Sequence, residues 1–482
     1  MSTTITDLEP QKVWKYFDEI TKIPRPSGHE KKIAEYLSKF AKEHNFECVI
    51  DKVGNVIIDV PATSDKQNAP LVILQGHMDM VPVAAEGFTF DFKKDPIKTF
   101  IDGPFVKADR TTLGADNGIA LAMALSIFDD KELSHGPLRA IFTVEEETTM
   151  KGAANIDPKY LKAEYLINLD SEDNGFLFVN CAGSNDVDLS FNFSKIVPEN
   201  TKALTLKISN LEGGHSGADI ALYRANAIKV LATILDNLSD DFDFFIQDIQ
   251  GGTVRNSIPA KASVTLAVPE NEVEAIKEAF KTQFDEQKSI YKNTDPNMEC
   301  AFENATSKDA LGYALSLDLI HLLRGLPSGV VRMSDEFKGI VETSINLSMV
   351  SMKDDTVKID LMPRSLSKIG LNDIISTVQA QCYLLDNVEI EVSGYHEPWS
   401  SPSKNRLIDV LNDSYKEETG KPFEITALHA GVECAMFAKY NSELQLISIG
   451  PTVLNPHSPM ERVDIKGTKE IYSTVIRALA ML

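Results

Sequence analysis

Short runs of consecutive apolar residues recur in the first and last parts of this chain. Residues 71–74, 138–144, 165–169 and 444–449 each read as a strand buried on both faces. Around them, apolar positions three and four apart predict amphipathic helices over 30–44, 118–128, 406–418, 432–440 and 466–479. Strands alternating with helices imply an α/β domain whose sheet is flanked by helices. In such sheets, ligands bind beyond the carboxyl ends of the strands.

The middle of the chain has a different rhythm. Residues 204–209, 262–268, 345–352 and 357–361 alternate apolar with polar positions, and 352–357 reads as a polar hairpin turn. Helical spacing covers 220–238, 272–284, 311–323 and 371–385. This is the pattern of an α+β domain inserted into the first. The expected division is 1–185, then an inserted domain over 186–395 joined twice to the first, then 396–482. No repeat of 20–50 residues is visible.

Length and charge narrow the picture. A chain of 482 residues is too long for one ordinary core. It has no apolar run long enough to span a bilayer, and its N-terminus lacks the basic and apolar regions of a signal peptide. The cytoplasm is therefore the default compartment, with no membrane partner. The five cysteines are scattered, which argues against a disulfide framework or a paired-cysteine metal site. A net charge of −23 repels phosphate backbones and argues against nucleic acid.

Metal-type ligands gather where the apolar runs end. His77 and Asp79 follow the first, and their spacing in a strand would put them on one side. Asp79 could then orient the imbidazole of a metal-bound His77 through its second nitrogen. Asp116 lies in Gly114-Ala115-Asp116-Asn117-Gly118, just before an apolar helix. Glu145, Glu146 and Glu147 close another run, where mutual repulsion calls for a cation or a proton. Asp170 ends a fourth, and His457 follows the last. Each has an ordinary alternative: a structural histidine, a helix N-cap or a solvated strand end. Together they describe one convergent cation site. Imidazole and carboxylate without cysteine suit zinc or a similar divalent ion, and a bridging carboxylate suggests two such ions.

These segments, Gly76-His77-Met78-Asp79, Gly114 to Gly118, the glutamate run, Asp170 and Pro456-His457-Ser458, resemble the metal-site segments of the M20 metallopeptidases in family order. The resemblance covers essentially the whole chain. The long insert, Ala430-Gly431-Val432-Glu433-Cys434 and Asn455 to Pro459 are most similar to the aminoacyl-histidine dipeptidases, for which carnosine is a typical substrate. The resemblance implies a zinc-peptidase-like α/β catalytic domain with a mixed sheet, plus an α+β lid. The implied activity is metallo-dipeptidase, an exopeptidase acting on small peptides, with two divalent ions, zinc or substituting Co²⁺ or Mn²⁺. Tripeptide or N-acyl amino acid hydrolysis is the alternative within the family, and a non-catalytic metal-binding protein the alternative outside it. A homodimer is one assembly such a chain allows.

Roles follow by the same resemblance. His77 and Asp170 would bind one metal, Glu147 and His457 the other, and Asp116 both. Glu146 would be the general base. His215, in Glu212-Gly-Gly-His-Ser-Gly217, would stabilise the oxyanion. Asn256 and Arg364 would bind substrate, Arg364 because its fork matches a terminal carboxylate. Glu433 would meet the substrate amine. The family has two adjacent acids where this chain has three, and Thr149 stands where a glycine is expected. The segment Met150-Lys-Gly-Ala153 favours Glu146/Glu147, with Glu145/Glu146 the other register.

Overall fold

The structure is a computed structural model describing residues 4–306, 308–401, 405–441 and 443–482. The first three residues of the N-terminal stretch read above lie outside that set. Two compact units emerge. One comprises Met1–Asn180, Trp399–Thr426 and Val432–Leu482; the other comprises Cys181–Pro398 and Ala427–Gly431.

The first unit is built on a nine-stranded sheet. Its order is Glu47–Ile50, Val56–Val60, Leu138–Thr143, Val72–His77, Tyr165–Asn168, Gln445–Ser448, Phe176–Cys181, Trp399–Ser400, with Glu424–Leu428 pairing to Phe176–Cys181. The four strands at the centre run parallel, and the flanking ones antiparallel, so the sheet is mixed. The central four are the apolar runs of the sequence, almost wholly buried because helices cover both faces. Parallel strands align their carboxyl ends on one edge. Register places Thr143 opposite His77, and Asn168 opposite Gln75, so the residues that follow these strands emerge together.

The helix Ala115–Phe128 lies behind that edge. All its residues except Asp116 are buried, as expected of a helix apolar on every side. It begins later in regular geometry than its hydrogen bonds suggest: Asp116 and Asn117 have non-helical backbone angles, and the peptide between them is cis.

The second unit carries a nine-stranded antiparallel sheet. Its order is Glu299–Ala305, Thr201–Ser209, Ala262–Pro269, Phe245–Gly251, Val341–Lys353, Thr356–Ser365, Gly183–Asn192, Val388–His396, with Gly329–Met333 on Val341–Lys353. The hairpin read at 352–357 has Lys353 paired with Thr356 across two aspartates, and Asp354 takes the left-handed conformation such short turns demand. The helix expected over 220–238 is interrupted. A short 3-10 turn, Ile220–Leu222, ends before Asn226 caps a separate helix, Ala227–Leu238, by accepting from the Ile228 and Lys229 amides.

The chain passes between the units four times, not the two expected. The extra pair of crossings comes from Ala427–Gly431, which groups with the second unit. There the Leu428 carbonyl accepts from Ala182 N, and the His429 ring lies 2.7 Å from the Ser344 hydroxyl.

Candidate metal centre

Five acidic or imidazole side chains meet at the carboxyl edge of the first unit's sheet. His77 is the last residue of its strand and almost wholly buried. Its Nε2 lies 2.9 Å from Asp116 Oδ1 and 3.3 Å from Asp170 Oδ1. His457 Nε2 lies 3.1 Å from the other Asp116 oxygen, Oδ2, and 2.8 Å from Glu147 Oε2. Asp116 therefore turns one oxygen toward each histidine. Potential ligand atoms of His77, Asp116 and Asp170 fall within 4.8 Å of one another, and so do those of Asp116, Glu147 and His457. A third such group joins His77, Glu146 and Glu147.

Asp79 sits just beyond the strand. Its Oδ1 is 3.4 Å from His77 Nδ1, an ion-pair distance too long for a good hydrogen bond. The same carboxylate also accepts the amides of Glu146 and Glu147, at 3.1 and 3.2 Å, and the Ser27 hydroxyl at 2.8 Å. It thus holds the glutamate turn as well as facing the histidine.

The three glutamates separate sharply. Glu145 has a positive φ of 52°, and its side chain turns outward to Lys151 at 2.6 Å. Glu147 reaches His457. Glu146 belongs to the His77 and Glu147 group without a hydrogen bond of its own to either histidine.

Electrostatics explain why the cluster wants a cation. Burial pushes Glu147 up to about 7, with Asp116 adding to the effect and His457 opposing it. Burial likewise drives Glu146 well above the carboxylate range; His77 opposes this, while Asp170, Glu433 and Glu147 reinforce it. Glu172, two residues past Asp170, is held up to about 9 by burial and by Asp116 and Asp170. His457 is raised to about 11 by its bonds to Asp116 and Glu147. Among the described residues, buried Glu147 Oε1, Asp170 Oδ1 and His77 Nδ1 have no hydrogen-bond partner. Stacked carboxylates with unspent oxygens are the donor set of divalent ions, and two histidines suit zinc. These residues fit a two-metal centre.

Glu433, expected to meet the substrate amine, is fully buried, and its Oε1 has no hydrogen-bond partner among the described residues. Its Oε2 accepts from Gln75 Nε2 at 2.5 Å and from Thr143 Oγ1 at 2.8 Å. Asn168 Nδ2 in turn donates to Gln75 Oε1 at 2.5 Å. Gln75 and Asn168 lie two residues before His77 and Asp170, so their bond ties together the strands that present those ligands, and Glu433 ties Gln75 to the strand of Thr143.

The other expected residues lie in the second unit. His215 follows two glycines with positive φ, 64° and 129°. Its Nδ1 accepts the amides of Gly217 and Ala218, at 3.2 and 3.0 Å, and its own amide donates to Asp219 Oδ2. An accepting Nδ1 puts the neutral ring's proton on Nε2, so His215 is a donor at that atom. Asn256 is exposed in a turn that Arg255 anchors through Asp188, 2.6 Å away. Arg364 is 5% exposed and forms no ion pair among the described residues. Its Nη2 lies 3.5 Å from Met362 Sδ, and its Nε has no partner. Burial lowers it to about 10. A Cβ on Gly217 would stand 3.1 Å from the His215 ring and 3.3 Å from Arg364 Nε, so the two residues share one neighbourhood. Sequence reasoning missed His429 there; its ring is buried, and desolvation, with Arg364 adding, lowers it to about 3.

A mixed sheet whose parallel strands lead into histidine and carboxylates gathered around Asp116 has the make-up of a metal-dependent enzyme's site. Residues 73–481 match the profile of "Peptidase family M20/M25/M40". The chain is 37% identical to the "Cytosol non-specific dipeptidase" of Escherichia coli (strain K12) over 477 residues, 98% of each chain. It is 34% identical to the crystal structure of "Aminoacylhistidine Dipeptidase from Vibrio alginolyticus", with a TM-score of 0.85, covering 100% of this chain and 98% of that one. The aminopeptidase PepT of Bacillus cereus shares the fold at 15% identity, with a TM-score of 0.58 over 98% of both chains. This chain belongs to peptidase family M20/M25/M40 and is a peptide hydrolase.

Proposed function

We propose that this chain is a cytoplasmic two-metal dipeptidase that cleaves short dipeptides, Xaa-His substrates such as carnosine among them. The observation that carries the reading is Asp116, whose two oxygens face His77 with Asp170 on one side and His457 with Glu147 on the other. The names of two relatives matched over nearly their whole length, a non-specific dipeptidase and an aminoacylhistidine dipeptidase, support the substrate class. His77, Asp116 and Asp170 would hold one ion, and Asp116, Glu147 and His457 the other, zinc by donor chemistry. When bound, such ions make water a nucleophile near neutral pH and polarise the scissile carbonyl.

The chain's own groups do the rest. Glu146 takes a proton from the attacking water and returns it to the leaving amine. The outward turn of Glu145 to Lys151 supports this register. Asp79 steadies both His77 and the Glu146–Glu147 turn. His215, protonated at Nε2, donates to the carbonyl oxygen as charge develops there. Arg364 and Asn256 bind the terminal carboxylate, and the buried guanidinium, without an ion pair among the described residues, supports Arg364 in that part. The test is a rate panel on zinc-loaded protein: carnosine, Ala-His, other dipeptides, tripeptides and N-acetyl amino acids. Turnover confined to tripeptides or N-acyl substrates would overturn the dipeptidase reading, and no turnover of any would overturn catalysis.

A further inference from the structure

Two buried charges near the centre face backbone, not substrate. Arg25 is 1% exposed and Glu461 2% exposed. Glu461 uses both oxygens on four consecutive amides. Oε2 accepts Leu113 N and Gly114 N at 2.7 and 2.9 Å, and Oε1 accepts Ala115 N and Asp116 N at 2.8 and 3.2 Å. Arg25 takes the carbonyls: Nη1 donates to Met78 O and Asp79 O at 2.9 and 2.7 Å, and Nη2 donates to Gly114 O. One residue therefore collects the loop's N–H groups, while the other bonds that loop to the chain just past His77.

The glycines of the loop fit this arrangement. A Cβ on Gly114 would lie 2.6 Å from Arg25 Nη2, and one on Gly118 would lie 2.5 Å from it. Gly114 also has φ +71°, which disfavours any side chain. Glycine spacing around Asp116 thus makes room for the guanidinium. Glu461 is also joined to His457 by a compact turn, in which Glu461 N donates to Ser458 O at 3.1 Å and Ser458 Oγ to Asn455 O at 2.9 Å. The segment that supplies His457 is the segment that grips the Asp116 loop.

Burying two ions costs several kcal/mol each unless their bonds are well made. A neutral group could not accept four amides, and an ammonium lacks the planar fork that reaches two separate stretches of backbone. We propose that Arg25 and Glu461 are positioning residues, a pair of opposite charges that fixes the backbone of 113–116 and so sets the Asp116 carboxylate between His77 and His457. The proposal rests on the reading of Asp116 as a metal ligand, and the experiment separates the two.

Metal-free protein would be titrated with Zn²⁺ and with Co²⁺ against a chelating dye, and its apo Tm and its kcat and KM recorded. Glu461→Gln and Arg25→Lys should weaken metal affinity about 10- to 100-fold, as loss of groups behind metal ligands commonly does. They should lower kcat with KM little changed, and alter the Co²⁺ absorption spectrum. Asp59→Asn, which breaks the ion pair to Arg139 at the opposite end of the strands, should move Tm alone. Should Glu461→Gln fail to fold, Glu461→Asp, which withdraws the carboxylate by one methylene, carries the same expectation. Parental affinity and spectrum in these variants, with only Tm lowered, would overturn the positioning role. If Asp116→Asn also kept both metals at parental affinity, the metal reading itself would fall.

Discussion

The glutamate run offers the sharpest test of the proposed chemistry, because three neighbouring and chemically identical side chains should behave in three different ways. Glu146→Gln keeps shape but cannot accept a proton. Loss of a general base costs about 10²–10⁴ in rate, or about 3–5 kcal/mol of transition-state stabilisation. Metal content should stay near parental. Because burial and neighbouring carboxylates already hold the Glu146 carboxyl well above its usual range, the neutral amide should not lower the apo Tm. Glu147→Gln removes a charge 2.8 Å from His457 and one of the buried oxygens without a partner, so its first effect should be lost metal. Glu145→Gln breaks only a surface pair with Lys151, whose side chains are 23% and 47% exposed. Such pairs contribute less than about 1 kcal/mol, and kcat should not move. The assay is kcat on reconstituted protein beside elemental analysis of bound metal. A hundredfold loss in Glu145→Gln, with Glu146→Gln near parental, would refute the assignment.

Chelation should abolish turnover, with Zn²⁺, Co²⁺ or Mn²⁺ restoring it; His77→Ala and His457→Ala should each lower bound metal by elemental analysis. Dipeptides should be cleaved much faster than their C-terminal amides, and Arg364→Ala should narrow that gap mainly by slowing the free acid; equal discrimination in parent and variant would move the role elsewhere. His429, at about 3 folded and about 6.5 unfolded, binds a proton in the unfolded chain first, so stability falls as pH drops from about 6.5 toward 3. Between pH 7 and 5 the parent should lose about 2 kcal/mol that His429→Asn does not, read as a smaller fall in Tm for the variant.

Elements carried by an unbroken local pattern were legible in the sequence. The four apolar runs are the four parallel strands, with ends shifted by at most three residues. Elements whose burial depends on distant partners were not. Val388–His396 is largely exposed at the sheet edge, and Glu47–Ile50 is an exposed edge strand as well. Glu47–Ile50 has no alternation for the eye to find, whereas Val388-Glu-Ile-Glu-Val392 alternates, with Val388 and Ile390 packed on the core, and was overlooked. The helix Gln11–Thr21, with Val13, Trp14, Phe17 and Ile20 buried on one face, did carry helical spacing and was overlooked. The four crossings were beyond reach, since Ala427–Gly431 groups with the second unit through contacts with residues far away in sequence, such as Ala182 and Ser344.

The ligands were readable for a physical reason: a carboxylate or imidazole at the end of an apolar strand conflicts with its surroundings, and a conflict repeated five times needs a common cause. The groups behind the ligands carry no such local conflict. Arg25 sits between prolines, Glu461 in a polar turn, and Asn117 inside a motif already explained by its neighbour. Yet Asn117 accepts from His77 N at 3.1 Å and donates to Leu169 O at 2.9 Å, linking the backbones on either side of two ligands. Their one trace in the sequence is negative, the missing side chains of Gly76, Gly114 and Gly118. A Cβ on Gly76 would run into the Asn117 amide, and one on either of the others into Arg25. Glycines that flank an acidic ligand can therefore be read as space kept for a buried partner, and that reading asks where the partner's donors or acceptors go. Glu433 teaches the complementary lesson. A carboxylate at a helix start invites assignment to a ligand or a cap, but the strands beside it carry Gln75, Thr143 and Asn168 at or near their ends, polar groups that need partners below the metal edge. Counting the needs of Gln75 and Thr143 places the Glu433 carboxylate against those two strands, where inspection of Glu433 alone could not.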